Sequence, residues 1–255
     1  MKYILPFCIA LFFAGVSRAQ EFKIQVENNK DGKLILDDFN GELPIEGYTG
    51  TEIVVTAASG RFEAPEQAKG LKPIYAAGTD NTGIGLYMEK NGNRITLRCL
   101  LPFGKRGNYR IRVPENLALE IERDCAGSGE TIISNVKNEI DFKGCHSIEL
   151  KNVTGPLVLS TISGHVNVVF TELSKDKSIS IASVSGEVDV TLPSKAGFNL
   201  EMGTVSGNMY SDFDLQTSKD DMHRVGGGSL HAQVNGGGVD VKLTSISSNI
   251  YLRKG

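Results

Sequence analysis

Within short runs the hydrophobic positions of this chain recur at every second residue, and the runs themselves recur. A seven-residue phrase, Φ-x-[G/N]-x-Φ-x-Φ with Φ apolar, reads VKNEIDF at Val136–Phe142, VTGPLVL at Val153–Leu159, ISGHVNV at Ile162–Val168 and VSGEVDV at Val184–Val190. Looser copies are FNGELPI (Phe39–Ile45), VSGNMYS (Val205–Ser211), VNGGGVDV (Val234–Val241) and ISSNIYL (Ile246–Leu252). Shorter Φ-x-Φ pieces lie between them, at Leu119/Ile121, Ile148/Leu150, Ile179/Ile181 and Phe198/Leu200. Period two is the side-chain alternation of an extended strand. No stretch carries a 3.6-residue stripe, and the best helical candidate, Pro65–Lys69, is a single turn.

Copies beginning at Ile162, Val184 and Val205 stand about one solenoid coil apart. The spacing predicts an all-β chain, a parallel β-helix whose coils hold two or three short strands joined by tight corners. An antiparallel sandwich is the competing architecture. It calls for hairpin turns of the Asn-Gly and Asp-Gly kind, and few sit between matching strands.

Positions 1, 3, 5 and 7 of the phrase share one face, so the apolar residues are expected to point inward and stack at about 4.8 Å per coil. The Gly or Asn at position 3 is either a corner with positive φ or a slot too narrow for a side chain. Roughly seven coils after Leu117 would make a rod about 35 Å long at that spacing. Ser248, replacing Gly in the last copy, is read as part of a frayed or capping coil. Position 6 points outward and carries Asp141, Asn167, Asp189, Tyr210, Asp240 and Tyr251. In register these would form a ladder of acids and tyrosines.

The first residues differ from all this. Lys2, the apolar run Tyr3–Val16 and the small-residue ending at Ala19 form a secretory leader over 1–19. The apolar run is shorter than the roughly 20 residues of a spanning helix, so no transmembrane anchor is expected after cleavage. The mature chain is expected to begin near Gln20 and to be exported, to the periplasm, the cell surface or the medium. The organisation expected is an N-terminal β segment over 20–116 with an irregular insertion at about 57–86, then the main array over 117–255. The whole of 20–255 is expected to form one continuous domain.

Loss of the leader leaves 25 basic against 30 acidic residues, a net charge of −5. That balance speaks against a nucleic-acid partner. Of the four cysteines, Cys99, Cys125 and Cys145 remain. Cys125 and Cys145 are twenty residues apart, about one coil, so a disulfide between them is expected in an oxidising compartment. Two buried thiols stacked in an interior column are the alternative.

Several segments resemble a family of exported bacterial β-strand-repeat proteins. They are AKGLKPIYAAGTDNTGIGL (Ala68–Leu86), LKNVTGPLVLSTISG (Leu150–Gly164), SISIASVSGEVDVTLP (Ser178–Pro193), SDFD (Ser211–Asp214) and SSNIYLRKG (Ser247–Gly255). That family carries the label of adhesin-like proteins, or of a domain of unknown function. The resemblance implies a right-handed β-solenoid and a place in a bacterial cell envelope. It implies no catalytic residues and no cofactor.

Signals of catalysis are weak in their own right. Ser134–Lys137 and Ser174–Lys177 match S-x-x-K without its companion motifs. His146, His165, His223 and His231 have no metal-ligand spacing. The outward acids raise the alternative of a carbohydrate-active β-helix, in which paired carboxylates supply acid/base catalysis or hold a cation. A solvated face that keeps the rod soluble explains the same residues. The expected function is a non-enzymatic interaction or structural module with an envelope or extracellular polymer or protein as partner. Tyr210 and Tyr251 are candidate stacking platforms for sugar rings.

Overall fold

A computed structural model describes residues 20–27, 30–57, 66–71, 74–102, 107–174, 177–215, 222–223 and 228–255. The leader segment 1–19 and the side chain of His223 lie outside the described residues. The strands of the N-terminal part are β1 (Gln20–Gln25), β2 (Lys33–Asp37), β3 (Leu43–Tyr48), β4 (Glu52–Ala57), β5 (Ile74–Tyr75), β6 (Gly78–Thr79), β7 (Leu86–Asn91), β8 (Arg94–Cys99) and β9 (Arg110–Pro114). Next come β10 (Ala118–Glu122), β11 (Thr131–Ser134), β12 (Ile140–Gly144), β13 (Ile148–Val153), β14 (Leu157–Thr161), β15 (Val166–Phe170), β16 (Ile179–Ser183) and β17 (Val188–Leu192). The last are β18 (Phe198–Thr204), β19 (Met209–Ser211), β20 (Met222–His223), β21 (Gly228–Val234), β22 (Val239–Ser245) and β23 (Ile250–Lys254). The short helical candidate is one 3-10 turn, Glu66–Ala68. Beside it, the small β5–β6 pair stands apart from both large sheets.

Successive strands from β10 to β17 alternate between two long sheets. Each coil therefore has two strands, one per sheet, and each strand pairs in parallel with its counterpart in the next coil. This is a flattened parallel β-solenoid, all-β as the phrase predicts.

Side chains from both sheets meet in the interior as columns along the rod. One column runs Leu97, Leu36, Ile121, Phe142, Leu159, Ile181, Leu243 and Met202, one residue per strand. The facing column from Ile111 through Ile45, Ile133, Leu150, Val168 and Val190 to Leu252 is equally buried. Branched aliphatic residues suit such columns because they pack well on a pleated surface.

Spatial order departs from chain order at both ends. In the second sheet β22 lies between β16 and β18, and in the first β23 lies between β17 and β19. Thus the coil β22–β23 is intercalated between two coils made before it. In the same way β2–β3 sits between β8–β9 and β10–β11. Six coils, rather than seven, follow Leu117. Ser248 is correspondingly not at a frayed end but in an interior coil, a correction to the sequence reading. Antiparallel strands close the ends: β7 on β8, β4 on β9 with β1 beyond it, and β21 on β18.

Position 3 of the phrase is a corner with positive φ at Gly41 (92°) and Gly236 (85°), and a slot of close approach in four other copies. At Gly155, Gly164, Gly186 and Gly207 a Cβ would strike backbone of the neighbouring coil: Asn138, His146, Gly164 and Ser248 respectively. None of the four has a positive φ. These glycines are slots, and the stacked corners pass too closely for any side chain.

Candidate functional site

The corners that lead from the second sheet into the first build the most unusual surface of the molecule. Each is written [ST]-[IV]-S-[GS]: Thr161–Gly164, Ser183–Gly186, Thr204–Gly207 and Ser245–Ser248. Stacked in the order 161, 183, 245, 204, the hydroxyl residues are all buried. Thr161 Oγ1 donates to His146 O of the neighbouring coil at 3.2 Å, and the other three serve their own turns. Ser183 Oγ accepts from Gly186 N at 2.9 Å, Thr204 Oγ1 from Gly207 N at 3.0 Å, and Ser245 Oγ from Ser248 N at 3.1 Å. Such local bonds satisfy a buried amide at a bend where the strand ladder cannot.

The backbone stays bonded from coil to coil through the corner, as in Val184 N to Thr161 O (3.1 Å) and Ile246 N to Ser183 O (3.1 Å). Alternation therefore continues, and with the hydroxyl inward the next residue must point out. Ile162, Val184, Ile246 and Val205 are 51%, 38%, 49% and 55% exposed. Position 1 of the phrase was expected inside. That holds for Val136 and Val153 at the opposite corners but is overturned at these four. Four half-exposed β-branched side chains in one column are a feature that ordinary surfaces avoid.

Beside this column runs a floor of small outward residues on the second sheet: Ser160, Ala182, Thr244, Gly203 and Ser229, register partners of one another. Column and floor together line a trough of about 550 Å³, within the roughly 300–1,000 Å³ range of ligand sites. Among the described residues no charged side chain lines it. The corner column continues at one end into Cys145, which is joined to Cys125 by a disulfide with Cα atoms 5.0 Å apart. Cys99 is free and buried, and burial pushes its thiol pKa up.

At the same corner of the preceding coil stands Arg123, 3% exposed. Its guanidinium donates to Gly41 O (2.6 Å), Thr131 Oγ1 (2.8 Å), Phe39 O and Gly129 O (both 3.2 Å) and Ser128 O (3.4 Å). Burial pushes its pKa down to about 10, which leaves it charged at neutral pH. It ties the intercalated coil β2–β3 to the loop that carries Cys125.

The outward residues of position 6 divide between the two sheets. Asn167, Asp189, Tyr251 and Tyr210 form one row on the first sheet, each the register partner of the next. Asp141 and Asp240 lie on the second sheet and not in that row, Asp141 between Glu120 and Val158 and Asp240 beside Asn199. The phrase precedes strands of either sheet, which is why a single ladder of all six does not form. Asp189 is held by Arg253 in a bidentate pair, Nε to Oδ1 at 2.7 Å and Nη2 to Oδ2 at 2.8 Å. Tyr210 and Tyr251 stack with centroids 5.3 Å apart and planes 10° from parallel. Among the described residues no group of three or more His, Cys, Asp or Glu side chains is placed to hold a metal ion. No helix among them is long and apolar enough to cross a membrane.

The sequence profile of the Toastrack DUF4097 family matches the part of the chain that holds the trough, Cys145 and the tyrosine row. The match runs over residues 127–252. No curated protein matches the chain. Among solved structures, a "putative cell adhesion protein" from Clostridium sporogenes is 13% identical, with 93% of this chain and 100% of that one covered and a TM-score of 0.43. A "putative adhesin" from Bacteroides fragilis is 11% identical over 93% and 97% of the two chains, at a TM-score of 0.41. A third, from Parabacteroides merdae, is 9% identical over 94% and 98%, at a TM-score of 0.29. The match begins two residues after Cys125, so the disulfide joins the matched segment to the loop between β10 and β11.

Proposed function

We propose that this protein is a non-enzymatic interaction module of the bacterial cell envelope, exported through its leader and docking a polymer or protein partner in the trough. The observation that carries the reading is the in-register column Ile162, Val184, Ile246 and Val205 beside an uncharged floor. Full burial of an exposed aliphatic side chain is worth about 1.5–3 kcal/mol. Covering four that are half exposed is then worth roughly 3–6 kcal/mol before the cost of association is met. One trough gives weak binding, which suits a partner that repeats or is presented many times over.

The alternative of a carbohydrate-active enzyme rested on a ladder of acids. With Asp141 and Asp240 on the other sheet and Asp189 committed to Arg253, the geometry lends that alternative no support. The test is binding of the intact mature protein across a glycan array and to extracted envelope polymers, with product analysis of every ligand retained. Retention without turnover, lost at least tenfold in Ile246→Glu and Val184→Lys, is the expected result. Release of shortened fragments overturns it in favour of the enzyme.

A further inference from the structure

Beyond the trough, on the other sheet, the tyrosine row has the geometry of a second binding site. Tyr251 is covered on one side by Tyr210 and approached on the other by the Arg253 guanidinium, 5.4 Å from the ring centroid. Its hydroxyl accepts from Asn249 Nδ2 at 3.1 Å, and Asp189 holds Arg253 in one plane. Everything that could turn the Tyr251 ring is fixed. Tyr210 rests on that ring in the offset arrangement aromatic pairs prefer. It stands on β19, the last strand of the first sheet, with no described strand beyond it. Tyr210 is 50% exposed, and no described residue stacks on its outer face.

Tyr210, Ser211, Asp212, Tyr251 and Arg253 share a depression of about 220 Å³. That is smaller than sites for drug-sized ligands and of the scale of a single ring. An aromatic face rimmed by a hydroxyl, a carboxylate and a guanidinium asks for a ligand with one flat apolar face and a ring of hydroxyls at its edge. Asp212 Oδ1 already accepts from Lys254 N at 2.8 Å, which aims the carboxylate and leaves Oδ2 for a ligand hydroxyl.

We propose that Tyr210, stacked on Tyr251, is a subsite for one pyranose ring of a β-linked saccharide, with Asp212 meeting its hydroxyls. A β-1,4-linked pyranose with equatorial hydroxyls presents a flat face of C–H groups to the tyrosine. An α-linked chain curves, and its neighbouring ring is turned away from the sheet. This inference does not rest on the trough, because the tyrosines and the trough floor lie on opposite sheets.

The test is an NMR titration of the mature protein carrying 13C-labelled tyrosine, with chitotetraose, cellotetraose and maltotetraose as probes. The expected result is a saturable shift of the Tyr210 and Tyr251 ring signals with either β-linked probe and at least fivefold weaker binding of maltotetraose. Tyr210→Leu, which keeps bulk at an exposed position, abolishes the shift with an unchanged melting temperature. No saturable shift with either β-linked probe overturns the proposal, as does a shift that persists in Tyr210→Leu or equal binding of all three probes. Loss of saccharide shifts with partner capture in the trough intact, or the reverse, tells which of the two sites has failed.

Discussion

Arg123→Met is the substitution whose outcome the structure fixes most sharply. The wild-type residue buries a charge with no carboxylate among the partners of its guanidinium, and the drop of its pKa to about 10 corresponds to an opposing cost of about 3 kcal/mol. Against this stand four oxygens that depend on it, the Phe39, Gly41 and Gly129 carbonyls and the Thr131 hydroxyl, while Ser128 O also accepts from Gly41 N at 2.8 Å. Each buried acceptor left without a donor costs about 1–3 kcal/mol. Water reaching the loop after Asp124 lowers that sum, and relief of the buried charge lowers it further. The net loss expected is about 3–5 kcal/mol, the range seen when one side of a buried charged contact is removed. Arg123→Lys keeps the charge but offers three donors from one point instead of a planar fork, so its loss is about half as large. Urea unfolding of the oxidised mature protein, followed by circular dichroism, reads both values. A methionine variant within about 0.5 kcal/mol of wild type, or more stable, would refute the argument, because the stranded carbonyls would then have cost nothing.

Two glycines of the second-sheet side test the slot: Gly186→Ala drives a Cβ into the Gly164 carbonyl of the next coil and is expected to cost at least about 2 kcal/mol. Gly203→Ala meets its nearest atom at 3.5 Å and is expected to change stability by less than about 0.5 kcal/mol by the same urea measurement. The disulfide closes a loop between residues twenty apart, so reduction is expected to lower stability by about 3 kcal/mol on the chain-entropy account. Alkylation of the unfolded mature chain, read by mass spectrometry, is expected to label one thiol without reductant and three with it. Glu139 is held below the usual glutamate pKa first by its hydrogen bond from Lys177 (2.6 Å) and further by Lys33. Its folded pKa lies under its unfolded one, so its contribution is present at neutral pH and is lost as pH falls below about 4.5 and through the folded value. Glu139→Gln is expected to flatten the acid limb of the stability profile and to leave the alkaline limb unchanged.

Much of the fold was legible because stacking writes its demands on every coil. Period-two runs, the Gly of the slot and the step between copies each state a local requirement that no other residue pattern meets. The order of the coils was not legible, for a physical reason. Ile179-x-Ile181, Leu200-x-Met202 and Val241-x-Leu243 present the same inward pairs of aliphatic groups, so any of them stacks acceptably on any other. The intercalation of β22–β23 is therefore decided by connection and closure, which leave no mark in the phrase. Sheet assignment was hidden in the same way, and Asp141 and Asp240 were misplaced because of it. The trough had a readable signal that the phrase alone did not include. The hydroxyl before the first apolar position, as in Thr161-Ile162 and Ser183-Val184, marks the corners where the apolar residue turns outward. Val136 and Val153 follow asparagines of positive φ instead, Asn135 and Asn152, and are buried.

The intercalated coil also sets a clock. Until residues 239–254 arrive, the coils β16–β17 and β18–β19 share no strand, and each presents to the other an unfilled gap in both sheets. A growing or translocating chain can zip coils together as far as β17, but it cannot join the two blocks, since the joining piece is the last of the strands to be made. Contacts this distant in sequence are slow to form. The two blocks thus stay apart until β22 and β23 have been made, and only then does the rod become continuous.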